Sequence, residues 1–169
     1  MINKPFIIKQ KKYFDKRGFF QESVLKKRFK TPIIFTALAE SKKNVIRGLH
    51  FQRSNKQTKI IHVIDGKILD IAVNLRKKSK NFGKVYKFIL KKGDILFVPN
   101  FFAHGYECLS NKCTILYHLD NYRDVKNEDG IIFNDKKLKI KWITKRPILS
   151  KRDKLSNSFE TFKKKIKTL

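Results

Sequence analysis

The sequence predicts an all-β fold, an antiparallel barrel or double-sheet jelly roll. Three observations lead there. Residues 44–119 divide into successive short segments of strand period. Turn signals separate those segments at regular spacing. No strand alternates with a long helix, which sets a parallel α/β sheet aside.

Taken in order, Lys4–Gln10 suits an edge strand, and Glu22–Phe29 a short helix ending before Pro32. Lys59–Ile64 runs into Asp65-Gly66, a strong hairpin signal, and then Lys67–Leu75. In that second arm Leu69, Ile71, Val73 and Leu75 share one face, and Ile68, Asp70, Ala72 and Asn74 the other. The second face is only partly apolar, as expected where a sheet encloses a polar cavity. Val85–Leu90 turns through Lys91-Lys92-Gly93-Asp94 into Ile95–Val98, and Pro99 closes that strand. Phe102–Cys108 and Cys113–Leu119 flank the turn Leu109–Lys112. Over Ser150–Leu169, Leu155, Phe159, Phe162 and Ile166 form a helical apolar stripe, with cations near the C-terminus where they suit the helix dipole.

The 169 residues suit one domain spanning 1–169, with 41% hydrophobic residues for a packed core. No apolar run is long enough to cross a bilayer, and Met-Ile-Asn-Lys-Pro carries no secretory h-region. Cys108 and Cys113 make no disulfide framework and lack zinc-pair spacing. A reduced, cytoplasmic protein is expected.

The charge is extreme: 41 Lys and Arg against 14 Asp and Glu give +27. Nucleic-acid binding is one account of such a balance. However, only 8 of the 41 cations are Arg, and no single helix or tail gathers them. Base readout and bidentate phosphate contacts favour Arg. Most of these lysines therefore suit a solvated surface whose positive field draws anionic ligands, and neither nucleic acid nor membrane is expected as a partner.

The chemistry-bearing set is small. The four histidines are His50, His62, His104 and His118, and none has a second His at i+2 as a strand-borne metal pair would need. A serine-nucleophile elbow, a dinucleotide fingerprint and a phosphate loop are all missing. What remains suits proton transfer: Arg47-Gly48-Leu49-His50-Phe51-Gln52, then Lys59, Asp70, His104 and Tyr117 on later strands. Strict alternation puts Arg47 and His50 on opposite faces, so a bulge or a strand end is needed for both to point inward. Taken singly, each of these side chains is more often structural than functional.

Several segments together resemble the dTDP-4-dehydrorhamnose 3,5-epimerase family. They are Asp15-Lys16-Arg17-Gly18-Phe19-Phe20-Gln21-Glu22, Lys43–Gln52, Asp70–Arg76, Ser79–Gly83, Val98–Tyr106, Leu116-Tyr117, Phe133-Asn134-Asp135 and Leu149-Ser150-Lys151-Arg152-Asp153. The resemblance implies a double-stranded β-helix, a cupin-type jelly-roll barrel with short flanking helices, without metal or cofactor. It also implies a homodimer with exchanged N-terminal strands. The implied activity is epimerisation at C3, C5 or both of a nucleotide-linked 4-keto-6-deoxy sugar, in deoxysugar and polysaccharide biosynthesis.

By that resemblance His50 is the base, Asp153 its orienting acid, Lys59 the cation for the developing O4 charge, and Tyr117 the proton donor on the opposite face. Arg47 and His104 contact substrate, and Asp70 partners His104. Arg17, Phe20 and Glu22 reach across the dimer to the nucleotide, and Tyr122 stacks on the base. Asp153 also completes a capping box with Ser150, so its structural role competes with its catalytic one. One stretch departs from the family pattern: Phe35-Thr36-Ala37-Leu38-Ala39-Glu40 stands where a polar Gln-x-Asn run is usual. That departure keeps open a single-centre epimerase acting on another nucleotide keto-sugar, GDP- or CDP-linked, such as a heptose. A sugar-nucleotide-binding barrel without turnover is the alternative of another class.

Overall fold

Twelve strands dominate the regular structure of the described chain, and their order largely alternates between two facing sheets. The structure is a computed structural model and describes residues 3–23 and 31–167. The N-terminal strands are β1 (Phe6–Ile8), β2 (Lys12–Asp15) and β3 (Gly18–Gln21). Then come β4 (Phe35–Lys42), β5 (Ile46–Gln52), β6 (Lys59–Asp65), β7 (Lys67–Asn74), β8 (Val85–Lys91) and β9 (Ile95–Val98). The strands β10 (Phe102–Cys108), β11 (Lys112–Leu119) and β12 (Glu128–Gly130) precede helices α1 (Lys151–Lys154) and α2 (Phe159–Lys167).

One five-stranded sheet has the order β1-β9-β6-β11-β4 and the other β12-β5-β10-β7-β8; β2 and β3 form a separate hairpin. All strand pairs are antiparallel. From β4 to β7 the chain crosses between sheets at every connection, and again from β8 to β12. This is the double-stranded β-helix, the jelly-roll expectation confirmed.

The same topology corrects the hairpin expected at Asp65-Gly66. The reversal is there, with Gly66 at φ +83°, but β6 and β7 lie in different sheets. The dipeptide fixes a local change of direction; pairing is decided by which strand edges remain free. Both edges of β6 are occupied, by β9 and β11. The turn is a corner of the barrel, as are those at Gly93 and at Leu109–Lys112.

The alternation on β7 holds. Leu69, Ile71, Val73 and Leu75 lie in an outer cluster capped by Phe159 and Phe162 of α2. Ile68 and Ala72 face the barrel interior among Ile61, Leu96 and Ile115, and Asp70 meets His104 there. A third cluster, Ile8, Ile60, Ile95 and Phe97 beneath Phe6, fastens β1 as an edge strand on β9 of its own chain.

Two helix expectations change. Glu22 and Ser23 are not helical, and residues 24–30 of the expected Glu22–Phe29 helix lie outside the described residues. The single C-terminal helix is two: the chain leaves α1 at Leu155, which is 73% exposed and not part of the apolar stripe. Ser156-Asn157-Ser158 explains the break, since such side chains satisfy backbone groups outside a helix. The carbonyl of Asn157 accepts from Ile132 N–H, and Ser158 Oγ accepts from Thr161 N–H as a fresh N-cap.

Candidate active site

Strand β5 runs antiparallel to β10 with His50 opposite His104 and Arg47 opposite Tyr106. Three steps on β5 thus face two on β10, so β5 carries one extra residue at Gly48-Leu49. Of the two ways the sequence leaves open for Arg47 and His50 to face inward, a bulge or a strand end, the structure uses the bulge. Gly48 takes φ +122°, and a Cβ there would lie 2.5 Å from Gly105 Cα, so only glycine permits the approach. Leu49 turns outward into the α2 cluster, while Arg47 and His50 both line one interior cavity of about 410 Å³.

Asp153 reaches the same cavity from α1. The His50 Nε2–H donates to Asp153 Oδ1 at 2.6 Å, and Ser150 Oγ–H donates to Asp153 Oδ2 at 2.8 Å. Ser150 Oγ also accepts from Asp153 N–H at 3.0 Å. The capping box and the histidine partnership are therefore one arrangement: the cap sets the carboxylate that the imidazole meets. Burial pushes the Asp153 carboxyl up, but the bonds from His50, Ser150 and Gly48 outweigh it and hold the group below the usual carboxylate range. With Nε2 committed to this anion, Nδ1 is the His50 nitrogen left to accept a proton.

Lys59, at the start of β6, donates from Nζ to Gln57 Oε1 at 2.9 Å. Burial pushes its ammonium down to about 8, partly opposed by the Glu128 and Asp120 carboxylates. Tyr117 faces in from β11, and its phenol is pushed well above its ordinary value, by burial first and then by Tyr106 and Asp70. His104 Nε2 pairs with Asp70 Oδ2 at 2.8 Å, both fully buried, with the His104 ring edge-on to Tyr117 at 6.1 Å. His50, Lys59, Tyr117, Asp153, Arg47 and His104 thus all line one cavity, with Asp70 directly behind His104.

Four expected residues stand elsewhere. Arg17 and Phe20 lie on the β2–β3 hairpin, where Arg17 Nη2 pairs with Asp15 at 2.6 Å and Phe20 is 67% exposed. Glu22 is exposed just beyond that hairpin. None of the three lines the cavity of its own chain. Tyr122 is 66% exposed and does not line the cavity, though its ring centroid lies 6.3 Å from that of Phe35, which does. In the departing stretch Phe35, Ala37 and Ala39 are half-buried and Leu38 is 67% exposed, and all four line the cavity.

The sequence reading missed several cavity residues. Tyr106 and Arg152 sat within quoted segments but carried no distinguishing spacing. Glu128 binds both Arg123 Nη2 at 2.8 Å and Arg152 Nη1 at 2.7 Å at the cavity wall. Only the pairing of β12 with β5 brings it there. A larger open groove, about 1270 Å³, shares Gln57 and Lys59 with the cavity but contains no His–Asp pair, so the chemistry is placed in the smaller space. Among the described residues no cluster of three His, Cys, Asp or Glu side chains could hold a metal ion, and no helix is long and apolar enough to cross a membrane.

Comparison with known proteins places this geometry. A family model described as dTDP-4-dehydrorhamnose 3,5-epimerase matches residues 1–161. The dTDP-4-dehydrorhamnose 3,5-epimerase of Salmonella typhimurium is 37% identical over 157 residues, covering 87% of this chain and 86% of the relative. The Bacillus anthracis enzyme of the same name, solved with TDP and PPi bound, superposes with a TM-score of 0.88 at 35% identity, covering 92% of this chain and 94% of that one. A Legionella pneumophila dTDP-6-deoxy-D-glucose-3,5-epimerase, solved in complex with dTDP-4-keto-L-rhamnose, gives a TM-score of 0.90 at 32% identity over 94% and 89%.

Proposed function

The chain belongs to the dTDP-4-dehydrorhamnose 3,5-epimerase family, and from that premise we propose how its cavity carries out the reaction. The protein is an isomerase of deoxysugar biosynthesis acting on a nucleotide-linked 4-keto-6-deoxy sugar. The chemistry removes a proton from a carbon beside the ketone, holds the enolate, and returns a proton to the opposite face.

His50 Nδ1 takes the proton, and Asp153 orients the ring and balances the imidazolium that forms. The Lys59 ammonium holds the negative charge on O4. Tyr117 gives its phenolic proton from the far face of the sugar, and solvent exchange resets both groups. Arg47 and the His104–Asp70 pair orient the sugar. The observation that carries this reading is the His50–Asp153 dyad sharing one cavity with Lys59 and Tyr117. It is tested in D2O with a dTDP-linked 4-keto-6-deoxy sugar. NMR should find deuterium at C5, C3 or both, with inverted product; a wild-type enzyme that leaves every carbon unlabelled sinks the reading.

The exposed hairpin supports a homodimer in which Arg17, Phe20 and Glu22 meet the nucleotide in the partner's cavity, Arg17 as a fork of donors to diphosphate and Tyr122 as a stacking surface for the base. The working unit is then residues 1–169 as one barrel domain, acting in the cytoplasm. Arg17→Ala is expected to raise KM roughly tenfold with kcat little changed, because a contact remote from the reacting carbons contributes equally to ground and transition states. An unchanged KM would remove the hairpin from the binding site.

One observation favours a narrower second reading. The half-buried Phe35, Ala37 and Ala39 offer substrate an apolar wall without amide donors. Inversion at one centre, or on a GDP- or CDP-linked keto-sugar, fits that wall. The same labelling experiment separates the cases by which carbon takes up deuterium.

A further inference from the structure

Arg47 is a long, flexible side chain of the cavity, yet it is held at two points by β4. Its Nε–H donates to Ser41 Oγ at 2.9 Å, and Nη2 donates to the Glu40 carbonyl at 3.0 Å. Ser41 is 4% exposed, and its Oγ also lies 2.9 Å from Tyr106 Oη, whose own side chain is fully buried. Ser41 thus joins Arg47 to a phenol that cannot move. Nothing in the proton-transfer scheme above uses Ser41 or Tyr106.

Tyr117 shows what this clamp serves. When it gives up a proton it becomes a phenolate inside the barrel, where burial and the nearby Asp70 carboxylate oppose the new charge. Arg47 lines the same cavity and is the cation that acts in its favour. A guanidinium free to swing toward solvent would supply that help only part of the time.

We propose that Ser41 is a positioning residue for proton delivery: it fixes the Arg47 guanidinium so that Arg47 balances the negative charge left on Tyr117 once the far-face proton has gone to carbon. The proposal deepens the epimerase reading and rests on it. In each inversion the C–H electrons pass into the enolate as His50 takes the proton. A new C–H bond then forms on the other face with the Tyr117 proton, leaving imidazolium and phenolate. Solvent removes one proton and supplies the other. Whatever Arg47 contributes to holding the sugar is shared by both halves; the charge balance that Ser41 secures belongs to the second alone.

The two halves can be read separately in D2O. Deuterium appearing in substrate that has not inverted reports removal and same-face return through His50; deuterium in inverted product reports delivery by Tyr117. The ratio of these two is independent of how much enzyme is folded. Ser41→Ala should raise the ratio of labelled, uninverted substrate to inverted product about tenfold, the scale of one hydrogen bond to a charged group. Ser41→Thr, which keeps the hydroxyl, should restore a ratio near that of wild type. An unchanged ratio in Ser41→Ala, or the same raised ratio in Ser41→Thr, overturns the proposal. A wild-type enzyme that labels nothing overturns the epimerase reading instead, so the two failures are distinguishable.

Discussion

Asp153→Asn is expected to lower kcat by about two to four orders of magnitude while lowering Tm by only a few degrees. The rate effect follows from charge and tautomer. Asp153 receives His50 Nε2–H at 2.6 Å; an amide in its place cannot balance the imidazolium and can offer its NH2 to Nε2 instead, leaving the ring proton on Nδ1, where the base must be free to accept. The small stability effect follows from the cap, because Asn still leaves its backbone N–H donating to Ser150 Oγ. Loss of one charge-assisted bond costs about 1.5 kcal/mol, a shift of roughly 3–6 °C for a chain of this size.

Ser150→Ala is the matching control. It deletes the cap, costs about 1 kcal/mol, and keeps the Asp153 charge. The pH dependence has a defined sign. The folded Asp153 carboxyl lies below its ordinary value of 3.8, so the stability it contributes is present above about pH 4 and is lost as pH falls through the folded pKa. Asp153→Asn removes that acid dependence. A variant that lost only stability, with turnover intact, would leave Asp153 as a helix cap and nothing more.

Lys59→Met should cut kcat roughly a hundredfold to a thousandfold, the range for removing one preorganised donor to an oxyanion, while leaving Tm unchanged or higher. Burial brings the Lys59 ammonium from 10.5 down to about 8. Between those values the unfolded chain holds a proton that the folded chain has shed, so the folded state gains stability as pH rises across the window. Below about pH 8 the folded chain carries a charge it is poorly built to solvate. Met removes that cost, about 1 kcal/mol after allowing for the cavity's own polarity. Activity runs the opposite way, since O4 needs the charged form. For the wild-type free enzyme kcat/KM should fall as pH rises through about 8, and the Met variant should lack that limb. A Met variant of lower Tm and normal turnover would contradict both halves.

These expectations rest on features that the sequence disclosed unevenly. The face alternation of β7 was legible because a period of two survives any strand pairing, and it separated the α2 side from the cavity side correctly. The Arg47–His50 conflict was legible too, since alternation alone demanded a break in regular strand geometry, a bulge or a strand end, and β5 has a bulge at Gly48-Leu49. Pairing was not legible at Asp65-Gly66: a turn dipeptide fixes local φ and ψ, whereas the neighbours of β6 come from distant segments. The C-terminal stripe failed at Leu155 because a period of 3.6 continued through residues whose polar side chains favour leaving the helix. Asp153 was ambiguous for a different reason, as the same three-residue spacing from Ser150 serves the cap and aims the carboxylate. The Arg123–Glu128–Arg152 group had no sequence signal, being assembled from a loop, a short strand and a helix. The family resemblance, not periodicity, brought the site residues together as a set, and it also named the hairpin residues that one chain alone leaves facing outward.

The most direct test of the central claim is solvent deuterium uptake by wild type and His50→Asn, side by side, on a dTDP-linked 4-keto-6-deoxy sugar. Wild type should label a carbon beside the ketone and invert it, and His50→Asn, folded to the same Tm, should label that carbon at least a hundredfold more slowly. Equal labelling by the two proteins would mean that another group takes the proton, and that the imidazole held by Asp153 is not the base.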